Sequence, residues 1–252
     1  MSGLLRSVLD AHGGLDRWLQ YTRLEATIVT GGKLWEIKGQ PPDPTPRRVT
    51  ITPQQEWASM QPFGADDWKA QFTRDRVAIE TLDGAVLLER QDPRGSFAGH
   101  ELATTWDPVQ LAYFSGYALW TYLTSPFLLA LPGFEVAEID PVDENGQNWP
   151  GLRARFPAEI ASHSSIQEFY FDDERLLRRH DYRVDVAGAF PAIQYTSDHL
   201  DADGIKMPSK RRAYRCGTDG HPLPDELMVS IDLSDFHFTK FVSGRSPTYP
   251  VR

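Results

Sequence analysis

The chain has 252 residues, 26 Lys and Arg against 35 Asp and Glu for a net charge of −9, and 40% apolar residues. That composition excludes intrinsic disorder, and at this length folding hides roughly 70% of the surface the unfolded chain exposes, enough for a large core. An acidic chain without a dense Lys/Arg run excludes phosphate-neutralising roles, so nucleic acid is not an expected partner, and the single cysteine, Cys216, excludes an internal disulfide and a paired-cysteine site.

Residues 1–21 carry Leu4, Leu5, Val8, Leu9, His12, Leu15 and Leu19 at helical spacing. They predict an amphipathic helix broken at Gly13-Gly14. Charges at Arg6, Asp10, Asp16 and Arg17 do not suit a secretory leader, so the expected location is cytoplasmic. From residue 22 the period changes to two, and residues 22–106 read as a first strand block: Leu24, Ala26 and Ile28, then Trp35 and Ile37, Val49 and Ile51, Trp68, Ala70 and Phe72, and Val77 with Ile79. Gly31-Gly32, Asp83-Gly84, Asn145-Gly146, Asp203-Gly204 and Asp219-Gly220 favour the positive φ of tight turns, and hairpins in succession make an antiparallel meander. Residues 41–46 read as a rigid loop of polyproline character. No helical pattern alternates with the strands and no glycine-rich phosphate loop occurs, which excludes the doubly wound nucleotide-binding folds.

Residues 107–131 break the strand pattern. The uncharged run 108–134 has the length of a membrane span. Pro126, Pro132, several hydroxyl side chains and the lack of flanking Lys or Arg oppose that reading, so no membrane span is expected. The segment predicts a helix, either buried under the sheet or acting as a lid on a cavity. Residues 132–240 form a second strand block with strands near 134–140, 152–156, 166–171, 176–186, 192–201, 210–216 and 227–233, and residues 241–252 read as a fraying tail. No linker divides the chain, which predicts one domain over 1–252.

Segments 10–18 (Asp-Ala-His-Gly-Gly-Leu-Asp-Arg-Trp), 169–172 with 176–179, and 203–212 (Asp-Gly-Ile-Lys-Met-Pro-Ser-Lys-Arg-Arg) are similar to phrases in bacterial relatives of the lipoprotein-localisation-factor (LolA/LolB-like) fold. The order of helix, meander, helical insertion and second meander resembles that fold over nearly the whole chain. The resemblance implies a mainly β architecture, a curved antiparallel sheet forming an incompletely closed β-barrel with an N-terminal helix and a mid-chain helical lid. It also implies an apolar cup for a lipid-like or aromatic molecule. Some proteins of this shape use the cup for catalysis without a cofactor, which admits an enzyme by analogy.

Alternation over 176–186 places Leu176, Arg178, His180, Tyr182, Val184 and Val186 on one face. Tyr195, Ser197 and His199 share a face of the next strand, and Arg212, Tyr214 and Cys216 a face of the one after. If these rows converge in the cup, His180, His199, Tyr182 and Tyr195 are the candidate acid–base groups, because histidine titrates near neutrality. Arg178, Arg212 and Tyr214 are then candidate ligand contacts, with Trp106, Tyr113, Tyr117 and Trp120 around the helical segment as an apolar platform. The competing reading for each is solvated barrel mouth or ordinary core. His12 reads as a satisfied core histidine. His100, His163, His221 and His237 have no second ligand at chelating distance in sequence, and neither a metal nor a cofactor is expected. The expected function is binding of a hydrophobic, amphipathic or aromatic small molecule. The alternative is a cofactor-independent enzyme using His/Tyr/Arg acid–base chemistry on a small aromatic or lipid-like substrate, and a third class is a protein-interaction module.

Overall fold

The N-terminal stripe folds as two short helices, α1 (Gly3–Ala11) and α2 (Leu15–Trp18), divided at Gly13-Gly14. Ser2 caps α1 by accepting from the Leu5 N–H. Gly13 has φ 117°, and a side chain there would collide with the Gly204 carbonyl. Lys206 N–H donates to His12 O at 3.0 Å, and Arg17 Nη1 donates to Gly204 O at 3.1 Å. Two of the phrases that carry the resemblance, 10–18 and 203–212, thus lie against each other. The structure, a computed structural model, describes residues 1–40 and 43–241. The loop reading for 41–46 falls partly outside the described residues, at 41–42, and the tail reading lies outside them from 242 onward.

The strands are β1 (Tyr21–Gly31), β2 (Arg47–Ile51), β3 (Ala58–Gln61), β4 (Trp68–Phe72), β5 (Arg76–Thr81), β6 (Val86–Gln91), β7 (Glu135–Glu144), β8 (Gln147–Arg155), β9 (Ile166–Phe171), β10 (Leu177–Val184), β11 (Phe190–Ala202), β12 (Ile205–Cys216) and β13 (Pro222–Lys240). They form one antiparallel sheet in the order β6-β5-β4-β3-β2-β1-β13-β12-β11-β10-β9-β8-β7. Two meanders therefore meet where β1 pairs with β13, from Tyr21 opposite Lys240 to Gly31 opposite Ser230. β6 and β7 are the free edges, so the sheet is an open half-barrel. Four of the five predicted turns join consecutive strands. At the fifth, Gly32 has φ 107° and precedes a short helix, α3 (Lys33–Ile37), so Trp35 and Ile37 are helical and the strand expected there does not form. β3 and β6 were not legible: β3 has four residues, and β6 is largely exposed on both faces, which erases a two-residue period.

The chain passes from edge β6 to edge β7 through α4 (Pro108–Thr124), which lies along the concave side of the sheet. Asp107 accepts from the Gln110 N–H at 2.8 Å while Gln110 Oε1 accepts from the Asp107 N–H at 3.1 Å, a complete capping box with Pro108 in the first turn. α4 is apolar on every side because it is enclosed on every side. It packs tightly on β4, where a side chain at Gly116 would collide with Phe72. It is a core helix, and one face of it walls the cavity described next. Among the described residues no helix is long and apolar enough to cross a membrane.

Candidate functional site

Between α4, α3 and strands β10 to β13, with Arg47, Met60 and Phe63 of the first meander completing the wall, lies a cavity of about 440 Å³. Leu34, Phe63, Phe114, Leu119, Ala213 and Met228 give it an apolar lining, and Thr30, Asp43 and Arg47 stand at its solvent-facing end. α4 contributes through residues spaced three and four apart, Leu111, Phe114, Ser115, Ala118 and Tyr122, which fall on one helical face.

One part of the wall is polar. His163 is held in the β8–β9 loop, where its carbonyl accepts from the Asp185 N–H at 3.0 Å. The same loop is tied down by Arg94 Nη1 donating to Ser162 O at 2.6 Å and by the Ala161 N–H donating to Glu56 Oε2 at 3.0 Å. The His163 ring stacks on Tyr182 with centroids 4.1 Å apart. Its Nε2 meets Tyr122 Oη at 2.6 Å, its Nδ1 meets Tyr117 Oη at 3.2 Å, and Tyr122 Oη meets Tyr182 Oη at 2.9 Å. Behind them Gln194 Nε2 donates to Tyr182 Oη at 3.4 Å, and Arg211 Nη1 donates to Gln194 Oε1 at 2.9 Å. The Arg211 guanidinium also donates to the Tyr122 carbonyl and lies 4.9 Å from the Tyr122 ring.

Burial sets the charge states. It drops the His163 pKa to about 3, with Arg94 adding to the shift. It raises Tyr122 to about 12 and Tyr117 and Tyr182 well above the ordinary phenol value. Arg211 falls to about 10, again through burial, and stays cationic at neutral pH. The wall is thus a set of neutral donors and acceptors in front of one buried cation.

Several predicted site residues stand elsewhere. A bulge between Leu177 and Arg179 breaks the row expected along 176–186. His180 and Tyr182 keep the inner face, but Arg178 leaves it, 5.9 Å from the Trp149 ring and 3.8 Å from Asp172. The register pairs Arg179, not His180, with Tyr195, and Tyr195 with Arg212. Tyr195, Arg212 and Tyr214 therefore occupy the opposite face of the sheet. There Tyr195 donates to Glu144 at 2.8 Å, Glu144 pairs with Arg179 at 2.6 Å, Arg212 pairs with Asp232 at 2.6 Å, and the Tyr214 ring packs 6.3 Å from Tyr195. The inward arginine is Arg211. His180 is fully buried behind the cavity wall, stacked 4.2 Å from Phe169 and donating from Nε2 to Gln167 Oε1 at 2.7 Å. His199 follows Asp198, whose φ is 54°, and its ring lies 6.2 Å from His12 rather than at the cavity. His12 is a satisfied core histidine, donating from Nδ1 to Val8 O at 2.8 Å and accepting at Nε2 from the Leu177 N–H at 3.3 Å.

Trp106, Tyr113, Tyr117 and Trp120 are buried but do not line the cavity. Trp120 donates to the carbonyls of Thr52 and Gln55, both at 3.0 Å, and Trp106 packs 4.8 Å from Phe114. The aromatic residues of α4 that do face the cavity, Phe114 and Tyr122, sit one position from Tyr113 and two from Trp120 in sequence. His163, Gln194 and Arg211 were missed as site residues. His163 sits in an irregular loop with no period to follow, and Arg211 differs from Arg212 only by which face its strand turns inward. Among the described residues no three His, Cys, Asp or Glu side chains group as metal ligands do.

No protein-family model matches the chain, and no curated protein matches its sequence. Solved structures do match its shape. A DUF1329 family protein from Desulfovibrio piger superposes with a TM-score of 0.54 at 12% identity, over 97% of this chain and 96% of that one. A putative outer membrane lipoprotein-sorting protein domain from Vibrio parahaemolyticus gives 0.52 at 10% identity, over 96% and 92%. A LolA superfamily protein from Nitrosomonas europaea gives 0.52 at 8% identity, over 94% of each chain. The fold is therefore LolA-like, an open half-barrel around a helix.

Proposed function

We propose that this protein binds a hydrophobic or amphipathic small molecule in the cavity between α4 and the second meander. The observation that carries the reading is the cavity itself, about 440 Å³ and mostly apolar, with a polar cluster of Tyr122, His163 and Tyr182 in its wall and Thr30, Gln40, Asp43, Arg47 and Ser115 as its other polar lining. Small-molecule sites have this anatomy, with volumes of roughly 300–1,000 Å³ and a few polar groups fixing orientation. The LolA-like shape supports it, since one neighbour of similar fold is described as a lipoprotein-sorting domain. The test is native mass spectrometry of the purified protein beside an Ala213→Phe variant, in which the added ring occupies the cavity. A retained apolar compound in the parent that is missing from the variant is the expected result. A parent that carries nothing and takes up no apolar probe overturns the reading.

A second reading, acid–base turnover of a bound aromatic or lipid-like substrate, is favoured by one observation: His163 and two tyrosine hydroxyls lie on the cavity wall. It shifts the acid–base role from His180 and His199, which do not line the cavity, to His163.

A further inference from the structure

The polar chain on the cavity wall contains few enough protons to be counted. Gln194 fixes one end. Its Oε1 accepts from Arg211 at 2.9 Å, so its Nε2 is the atom turned toward Tyr182 Oη. His163, neutral at physiological pH, has one ring N–H and one lone pair to place between Tyr117 and Tyr122. Three directions of donation satisfy every contact, and they differ in which hydroxyl proton is left over.

In the first, Tyr182 donates to Tyr122, Tyr122 donates to His163 Nε2, and the Nδ1–H donates to Tyr117. The Tyr117 hydroxyl proton is then left over, on a residue that is 0% exposed and not on the cavity wall. In the second, Tyr117 donates to Nδ1, the Nε2–H donates to Tyr122, and Tyr122 donates to Tyr182. The Tyr182 hydroxyl proton is then left over, on a residue that lines the cavity. An unmatched donor sealed in protein keeps its full desolvation penalty, whereas one on the cavity wall is matched by whatever fills the cavity. In the third, Tyr122 accepts from both the Nε2–H and Tyr182, and its own proton is left over, also on the cavity wall. The second direction is favoured over it because its donations run head to tail from Tyr117 through His163 and Tyr122 to Tyr182, each polarising the next, and it leaves Tyr182 waiting for an acceptor.

The charge behind it says what kind. Arg211 is 1% exposed, and both hydrogen-bond partners of its guanidinium among the described residues, Gln194 Oε1 and the Tyr122 carbonyl, are neutral. Its Nε has no partner. A buried cation held only by neutral groups retains much of its desolvation cost, and a nearby anion relieves it.

We propose that Tyr182 Oη donates a hydrogen bond to a carboxylate at the end of the ligand's apolar body, with Arg211, one amide behind, supplying the countercharge. The inference rests on the binding role proposed above and names the chemistry of the ligand. It places the polar end innermost and the hydrocarbon toward Phe63, Leu34 and Met228.

The test compares dodecanoate with dodecanol, each competing against the fluorescent apolar probe N-phenylnaphthylamine. The parent protein is expected to prefer dodecanoate, and Tyr182→Phe, which keeps the ring and removes the hydroxyl, to lower that preference about tenfold or more, the worth of a hydrogen bond to a charged group. An unchanged preference in Tyr182→Phe, or an equal loss for both ligands, overturns the carboxylate site while leaving the cavity as a binding site. Failure of the parent to bind any of the three overturns the binding role and this proposal with it. A second measurement needs no ligand: the side-chain nitrogen resonances of His163 are expected to show the proton on Nε2, and a proton on Nδ1 refutes the donation order.

Discussion

The two meanders receive the same helix in opposite ways. On the β2–β6 side, α4 is pressed against the sheet. Gly116 lets Phe72 touch the helix backbone, Ala58 and Ala70 keep the strands low, and the gap that remains is about 10 Å³. On the β10–β13 side the helix stands off, and the space is filled by His163, Tyr122, Tyr182, Gln194 and Arg211 together with the cavity. Close packing makes the first half a rigid support. The second half gives up apolar contact for a hydrogen-bonded wall, and a binding site needs that exchange.

Acid should separate the halves most strongly. His163 and His199 belong to the second half and His12 packs against it through Leu177 and Lys206, and burial lowers the pKa values of His12, His163 and His199 to about 4, about 3 and about 3 from the ordinary 6.5. Because the folded values are depressed, the stability these residues contribute is present above pH 6.5 and is lost as the pH falls through that value toward the folded pKa values. Glu56 runs the other way: burial raises it from 4.5 to about 8, so its contribution is full below pH 4.5 and declines up to pH 8. Four buried histidines on the acid side, His180 being lowered well below its ordinary value as well, and one buried carboxyl on the other give a stability maximum near pH 6.5. The fall on the acid side is therefore the steeper, each group that titrates contributing at most about 1.4 kcal/mol per pH unit. Urea unfolding across this range checks the asymmetry, and a flat profile on the acid side breaks the comparison.

Next in size is a paired substitution. Gly116→Val forces a branched side chain into Phe72 and is expected to cost about 3 kcal/mol or more. Ala213→Leu adds comparable bulk on the cavity side, where there is room, and is expected to cost under about 1.5 kcal/mol. Equal losses in thermal unfolding would mean that the halves do not differ in packing. The smallest effect sharpens the pH argument. Glu56→Gln keeps an acceptor for the Ala161 N–H but cannot ionise, so its stability should stay level between pH 6.5 and 8 where the parent declines.

Much of this architecture could be read from spacing alone. Leu24, Ala26 and Ile28 on β1 and Ala70 with Phe72 on β4 alternate as a half-buried strand must, and all are buried. The break at Gly13-Gly14 and the uncharged helix were equally plain. The site was less legible because alternation carries only parity. A single bulge at Leu177–Arg179 removes Arg178 from the row it would otherwise join, and a pairing in which Arg179, not His180, faces Tyr195 sends Tyr195, Arg212 and Tyr214 to the other side of the sheet. His163 belongs to no period. Its position depends on Arg94, Glu56 and Asp185, residues distant in sequence or in a different loop, so only the assembled fold reveals it.

The seam between first and last strands has a kinetic consequence. Every other neighbouring pair in the sheet joins strands consecutive in the chain, whereas β1 and β13 bring Tyr21 beside Lys240. The entropy of closing so wide a loop grows only slowly with its length, by about 0.6 kcal/mol for each doubling, so the finished molecule hardly feels it. The route to it does, since contacts remote in sequence form late. Until that zipper shuts, two sticky undersides and a greasy helix stay open to the medium, and the nascent chain depends on speed or on help to avoid clumping.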